Sequence, residues 1–170
     1  MAENLVARDM MLTSFKHIAE DQSLADALSA LLEVASDPER ATVLVVVHGD
    51  GSYAGLLTSR LFLRSLLALW MPGKDVRRDE ERLTRELLGV VGDRLGIRVG
   101  DTMIRGLPTV GPDERLGRLI EKACDAQMEF LPVLEGRRAI GLVPVNGIFH
   151  AAASFALTPK HRGIDLQDRG

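Results

Sequence analysis

Cysteine occurs once in this chain, as Cys124, so neither a disulfide framework nor a thiolate metal cage can be built from it. Cys124 falls in an apolar-periodic stretch, and the role expected of it is that of a small buried hydrophobe. Aromatic residues make up only 4%, too few to lay out stacking platforms for single-stranded nucleic acid. A basic excess is missing as well. The formal net charge is -3. Residues 1–72 hold five basic against nine acidic side chains and residues 98–170 hold ten against nine, so no segment can track a phosphate backbone. No run approaches the roughly 20 apolar residues of a membrane helix. The opening residues, with Glu3, Arg8 and Asp9, lack the apolar core of a signal peptide. Neither nucleic acid nor membrane is an expected partner, and a cytoplasmic location is expected. What remains is 170 residues, 46% hydrophobic and 26% charged, which is enough to bury a core in one domain or two small ones.

Periodicity places the elements. A short extended stretch, residues 16–19, precedes residues 23–34, where Leu24, Ala27, Leu28, Leu31 and Leu32 form a helical stripe and Ser23 is positioned as its cap. Residues 42–47 and 53–57 read as two strands joined through Asp50-Gly51, a hairpin signal. In residues 59–70, Leu63, Leu66, Leu67 and Trp70 recur at helical spacing, and Pro72-Gly73 ends the element. The order is β-α-β-β-α. It recurs later as a strand at Thr109-Val110, a helix over 114–126, a hairpin from 129–134 and 139–143, and a closing helix over 146–155. Between the copies, Leu83, Leu87, Leu88 and Val91 predict a connecting amphipathic helix with a solvated, mixed-charge face. The predicted organisation is a first repeat at 1–72, a helical connector at 73–97, a second repeat at 98–157 and a flexible polar tail at 158–170.

Internal duplication also shows at residue level. Asp9, Met11, Asp21 and Leu24 match Asp101, Met103, Asp113 and Leu116, each 92 positions on. After the first helix the spacing becomes 86, so Val47 meets Val133 and Gly55 meets Gly141. The difference of six fits an insertion at residues 35–40, a polar loop containing Pro38. A single repeat would leave much apolar surface exposed, so the two copies are expected to pack sheet to sheet with pseudo-two-fold symmetry as an α+β fold.

Familiar chemical motifs are absent. Gly49, Gly51 and Gly55 superficially suggest a phosphate loop, but a strand follows them where a helix would be required. His48 and Ser52 lack the nucleophile-elbow spacing. His17, His48, His150 and His161 show no spacing that would place two on one helical face with a carboxylate. No catalytic constellation and no metal site is expected, and the chain is read as something other than an enzyme.

The ordered marks resemble those of the cystathionine-β-synthase (CBS) domain pair, or Bateman module. In the first copy these are Val6-Ala7-Arg8-Asp9-Met10-Met11, residues 21–28, and residues 43–47 leading through Asp50-Gly51 to Gly55-Leu56-Leu57-Thr58-Ser59-Arg60. In the second they are Val99-Gly100-Asp101-Thr102-Met103, Pro112-Asp113, Phe130-Leu131-Pro132-Val133 and Gly141-Leu142-Val143. The resemblance implies a stand-alone regulatory module with clefts for adenosine-containing ligands (AMP, ADP, ATP or S-adenosylmethionine) that signals to a partner protein and requires no cofactor. It also implies a homodimer formed by the closing helices of each repeat. On this resemblance the first-copy candidates are Thr13, Lys16 and His17, with Val45 and Val46 for the base and Thr58 and Arg60 for phosphate. The second cleft, where plain packing is favoured, would be lined by Leu107, Pro108, Phe130, Leu131, Pro132 and Asn146. The family pattern Gly-x-x-Thr-x-x-Asp ends in a ribose-binding aspartate. Here Leu61 stands in its place in the first copy, and Pro144 and Gly147 replace the threonine and the aspartate in the second. The alternative reading is an interaction scaffold whose clefts are filled by side chains.

Overall fold

The computed structural model describes residues 4–36, 42–70, 84–86, 88–89, 92–93, 95–126 and 128–158, with the backbone alone at 65–70 and 126. The chain divides into two compact units. The first is Ser14–Gly106, and the second joins Met1–Thr13 to Leu107–Gly170.

In the first unit, β1 (Lys16–Ala19) pairs in parallel with β2 (Val43–Val47), which pairs antiparallel with β3 (Tyr53–Thr58). Helix α2 (Leu24–Ala35) crosses between β1 and β2, the connection a parallel pair requires. Ser23 caps it, its hydroxyl accepting from the Asp26 amide at 3.2 Å while Asp26 Oδ2 accepts from the Ser23 amide at 3.2 Å. Its buried face is Leu24, Ala27, Ala30, Leu31 and Val34. These pack on Ile18, Leu44, Val46 and Leu57 of the sheet. Leu32, expected on that stripe, is exposed, because the buried face runs through Ala27, Ala30, Leu31 and Val34 and Leu32 is turned about 100° beyond Leu31, away from the other three. Asp50-Gly51 makes the hairpin turn, with Gly51 at φ 79°, and α3 (Ser59–Trp70) follows β3 without a break.

In the second unit, α1 (Ala7–Met10) begins with the Val6 amide donating to Asp9 Oδ2 at 3.0 Å. Helix α4 (Leu116–Ala126), the hairpin of β4 (Phe130–Glu135) and β5 (Arg138–Pro144), and α5 (Val145–Leu157) complete it. The core gathers Ala7, Val110, Leu119, Leu131, Val133, Val143 and Ile148. The strand expected at Thr109-Val110 is one parallel bridge, Val110 to Val133. Cys124, expected to be buried, is exposed. It lies on the opposite side of α4 from the buried Leu119, five residues or about half a turn-phase away.

The units are not the repeats 1–72 and 98–157 taken whole, because each repeat sends its leading segment to the other unit. Five contacts make this reciprocal. Leu24 N donates to Ile97 O (2.7 Å) and Leu116 N to Leu5 O (3.1 Å). Val99 N donates to Gln22 O (2.9 Å) and Ala7 N to Glu114 O (2.9 Å). Gly100 N donates to Glu20 O (2.8 Å) and Arg8 N to Pro112 O (2.9 Å). The bridges Ser23–Arg98 and Leu56–Ile104 have the counterparts Val6–Arg115 and Leu12–Leu142. All five pairs obey the spacings of 92 and 86 seen in the sequence. Of the connector, residues 84–86, 88–89 and 92–93 are helical. Residues 95–97 are described and lie outside helix; the remainder of the connector, and the tail from 159, lie outside the described residues.

Candidate functional site

Strand alternation divides the first-copy candidates between two faces. His17, Val45 and Leu56 lie side by side on β1, β2 and β3, and Thr58 lies on the same face of β3 opposite Val43. Lys16 shares the other face with Leu44 and Leu57, where its ammonium pairs with Glu33 of α2. Val46 also lies on that face, within the apolar core. Val45 and Val46 are both 0% exposed, so neither offers surface to a base, and adjacent residues of one strand cannot flank the same ligand. Thr13 belongs to the second unit and is exposed.

Thr58 is 5% exposed, and its hydroxyl accepts from the Leu61 amide at 3.2 Å, capping α3. Arg60 is exposed in the first turn of that helix. His17 is exposed and its ring stands 5.0 Å from that of Phe15. The start of α3 therefore carries a hydroxyl cap and an exposed arginine, with His17 on the same sheet face as Thr58 but two strands away. A helix N-terminus with a hydroxyl and a cation favours an anion.

The second-copy candidates separate as well. Phe130 and Asn146 line a cavity of about 500 Å³ with Met128, Pro144 and Phe149. Leu131 is fully buried in the core, Pro132 is buried beside it, and Leu107 and Pro108 are half-buried away from this cavity. Pro144 precedes α5 with no side-chain cap. A second hollow, about 650 Å³, runs between α4 and α5 over Leu116, Ile120, Ala152 and Phe155, with Arg115, Arg118 and Glu121 at its rim.

Sequence reasoning missed one cluster. Glu20 Oε1 lies 2.6 Å from His48 Nδ1, and Glu20 Oε2 accepts from Arg105 at 3.2 Å. The hydrogen bond with His48 holds the Glu20 carboxyl below its ordinary value; partial burial opposes this and Arg105 adds to it. Separations of 28 and 85 positions leave no signal in the sequence. Tyr53 raises a different question: its hydroxyl is buried with no hydrogen-bond partner among the described residues, and burial pushes its ionisation far up. Among the described residues no group of three or more His, Cys, Asp or Glu side chains is arranged to hold a metal ion, and no helix is long and apolar enough to cross a membrane.

Comparison with known proteins agrees with this architecture. Residues 7–68 match the CBS domain family model. The CBS domain of a CBS domain containing membrane protein from Sphaerobacter thermophilus superposes with TM-score 0.66 at 17% identity, over 88% of this chain and 89% of that one. CBSX2, a CBS-pair protein of Arabidopsis thaliana, solved in complex with AMP, gives 0.60 at 20% identity over 88% and 97%. The cytosolic domain of the Mg2+ channel MgtE in complex with ATP gives 0.61 at 19% identity, over 85% of this chain and 48% of that one. A search of curated protein sequences gives no match. The chain as a whole thus has the fold of the CBS-domain proteins, with residues 7–68 similar to the CBS domain family model.

Proposed function

We propose that this protein is a regulatory module that binds an adenosine-containing ligand on its first unit and passes a shift in conformational population to a partner protein. Two structural relatives hold AMP and ATP. Within this chain the reading rests on the start of α3, where the Thr58 cap and the exposed Arg60 suit a phosphate, with His17 on the same sheet face as Thr58. Leu61 supplies no carboxylate for ribose hydroxyls, and each such charge-assisted hydrogen bond is worth about 1.5–3 kcal/mol. Affinity is accordingly expected to rest on the phosphate, favouring AMP, ADP or ATP over S-adenosylmethionine. Calorimetric titration with these four and NADH tests the reading. Binding of the phosphorylated ligands, weakened at least about tenfold (1.4 kcal/mol) by Arg60→Ala, is expected. Absence of heat for all five would remove it.

A specific feature supports a second role for the other unit. The hollow between α4 and α5, with Ile120 38% exposed in it, and the separate apolar side chains Phe149 and Leu157 of α5, 64% and 65% exposed, suit a homodimer in which the closing helices α3 and α5 meet those of a second copy about a two-fold axis. Light scattering at micromolar concentration is expected to give a dimer mass, reverting to monomer in Ile120→Glu. A monomer in the unaltered chain would discard this assembly.

A further inference from the structure

Residues 5–12 are held on the second unit by contacts along their whole length. Leu5 O, Ala7 N and Arg8 N bond to Leu116 N, Glu114 O and Pro112 O, and Leu12 and Leu142 exchange both backbone hydrogen bonds at 2.9 and 3.0 Å. Arg8 pairs with Asp113 at 3.0 Å, and Ala7 is fully buried in the core of this unit. Met11 fills the space over Gly141, where an added Cβ would lie 2.5 Å from its sulfur. The segment thus belongs to one unit by its contacts and to the other by its covalent continuation. The join is residues 13–15, outside helix and strand, with Thr13 and Ser14 exposed.

We infer that the surface of residues 107–158 is a recognition site for segment 5–12, and that a second copy of this chain can supply the segment, giving a segment-exchanged dimer. The site reads backbone through paired amides and carbonyls, admits only a small side chain at Ala7, and receives a flexible thioether over a glycine. A second copy presents the same atoms, so every contact is reproduced. Only the entropy of association and the conformation of residues 13–15 differ between the two arrangements. In dilute solution the short tether keeps the effective concentration of the chain's own segment in the millimolar range; concentrated refolding lets the second copy compete. This inference is independent of the ligand reading, and it uses a surface other than the α4–α5 hollow.

The test uses full-length chains carrying Cys124→Ser. Arg8→Cys and Asp113→Cys, both at exposed positions, are made in separate chains, mixed in denaturant, refolded together at high concentration and treated with a short bis-maleimide. Several-fold more covalent dimer from the mixture than from either chain alone is the expected result. Leu12→Cys and Leu142→Cys repeat the test as a disulfide, since a hydrogen-bonded antiparallel pair sets its Cα atoms about 5.5 Å apart, within disulfide range. Cross-linking only when both cysteines sit in one chain, in both sets, would overturn the inference. A dimer joined through α4 and α5 alone leaves the Leu12–Leu142 mixture unlinked and counts against it equally.

Discussion

Thr58 and Pro144 occupy corresponding places, 86 positions apart, where a strand runs directly into a helix, and the two units treat that junction differently. Thr58 caps α3 with its hydroxyl, whereas Pro144 presents a ring that satisfies none of the orphan amides of α5. Two further pairs diverge. Ala27 in the first unit corresponds to Leu119 in the second, both fully buried. A three-stranded sheet stands beside the first, and a two-stranded one extended by the single Val110 bridge beside the second. The glycines of the third pair differ in their nearest neighbour, the Ile104 carbonyl with the Met103 sulfur behind it over Gly55 and the Met11 side chain over Gly141. One duplicated scaffold has therefore kept its hydrogen-bond register while its polar junction survives in one half only, and the candidate anion site lies in that half.

Substitutions at these pairs break or sharpen the contrast. Leu119→Ala is expected to cost the most, about 2–5 kcal/mol in denaturant unfolding, since it empties the centre of the smaller core. Gly55→Ala follows at about 3 kcal/mol, because Ile104, whose carbonyl it meets, is fixed by exchanging two backbone hydrogen bonds with Leu56. Gly141→Ala is expected to cost less than Gly55→Ala, as the Met11 sulfur and Cγ can rotate away and only its Cβ, at 3.0 Å, is tied to the backbone; equal losses would show segment 5–12 to be as rigid as segment 98–104. Thr58→Ala should lose about 1 kcal/mol of cap, against little change for Pro144→Ala. The smallest effect concerns acid. The Glu20 carboxyl is held below 4.5 in the folded protein, chiefly by His48. Its contribution is therefore present above the unfolded value and lost as pH falls through the folded one. Melting temperatures measured from pH 7 down to pH 3 should fall less steeply in Glu20→Gln than in the unaltered chain, with the two curves converging at the acid end.

The repeat and its elements were legible because they are local. Helix stripes, the Ser23 cap and the Asp50-Gly51 turn each lie within a few residues of one another, and the spacings of 92 and 86 then reappear in the backbone bonding. Side chain by side chain, the site was less legible. Val45 and Val46 look alike in a β-branched run, and only the pairing register separates the core face from the other. The crossing of segments 5–12 and 95–104 leaves no composition signal, since the same residues satisfy the same partners in either repeat. Cys124 and Leu32 failed for one reason: an apolar-looking helix stretch has more than one possible stripe, and contacts with the sheet select it.

Backbone amide spectra recorded during titration of the full chain with AMP test the central claim most directly. Shifts concentrated at His17 and at residues 58–61, saturating with one ligand per chain, are the predicted result. Shifts confined to the cavity of Phe130, Asn146 and Phe149, or none at millimolar AMP, would contradict it.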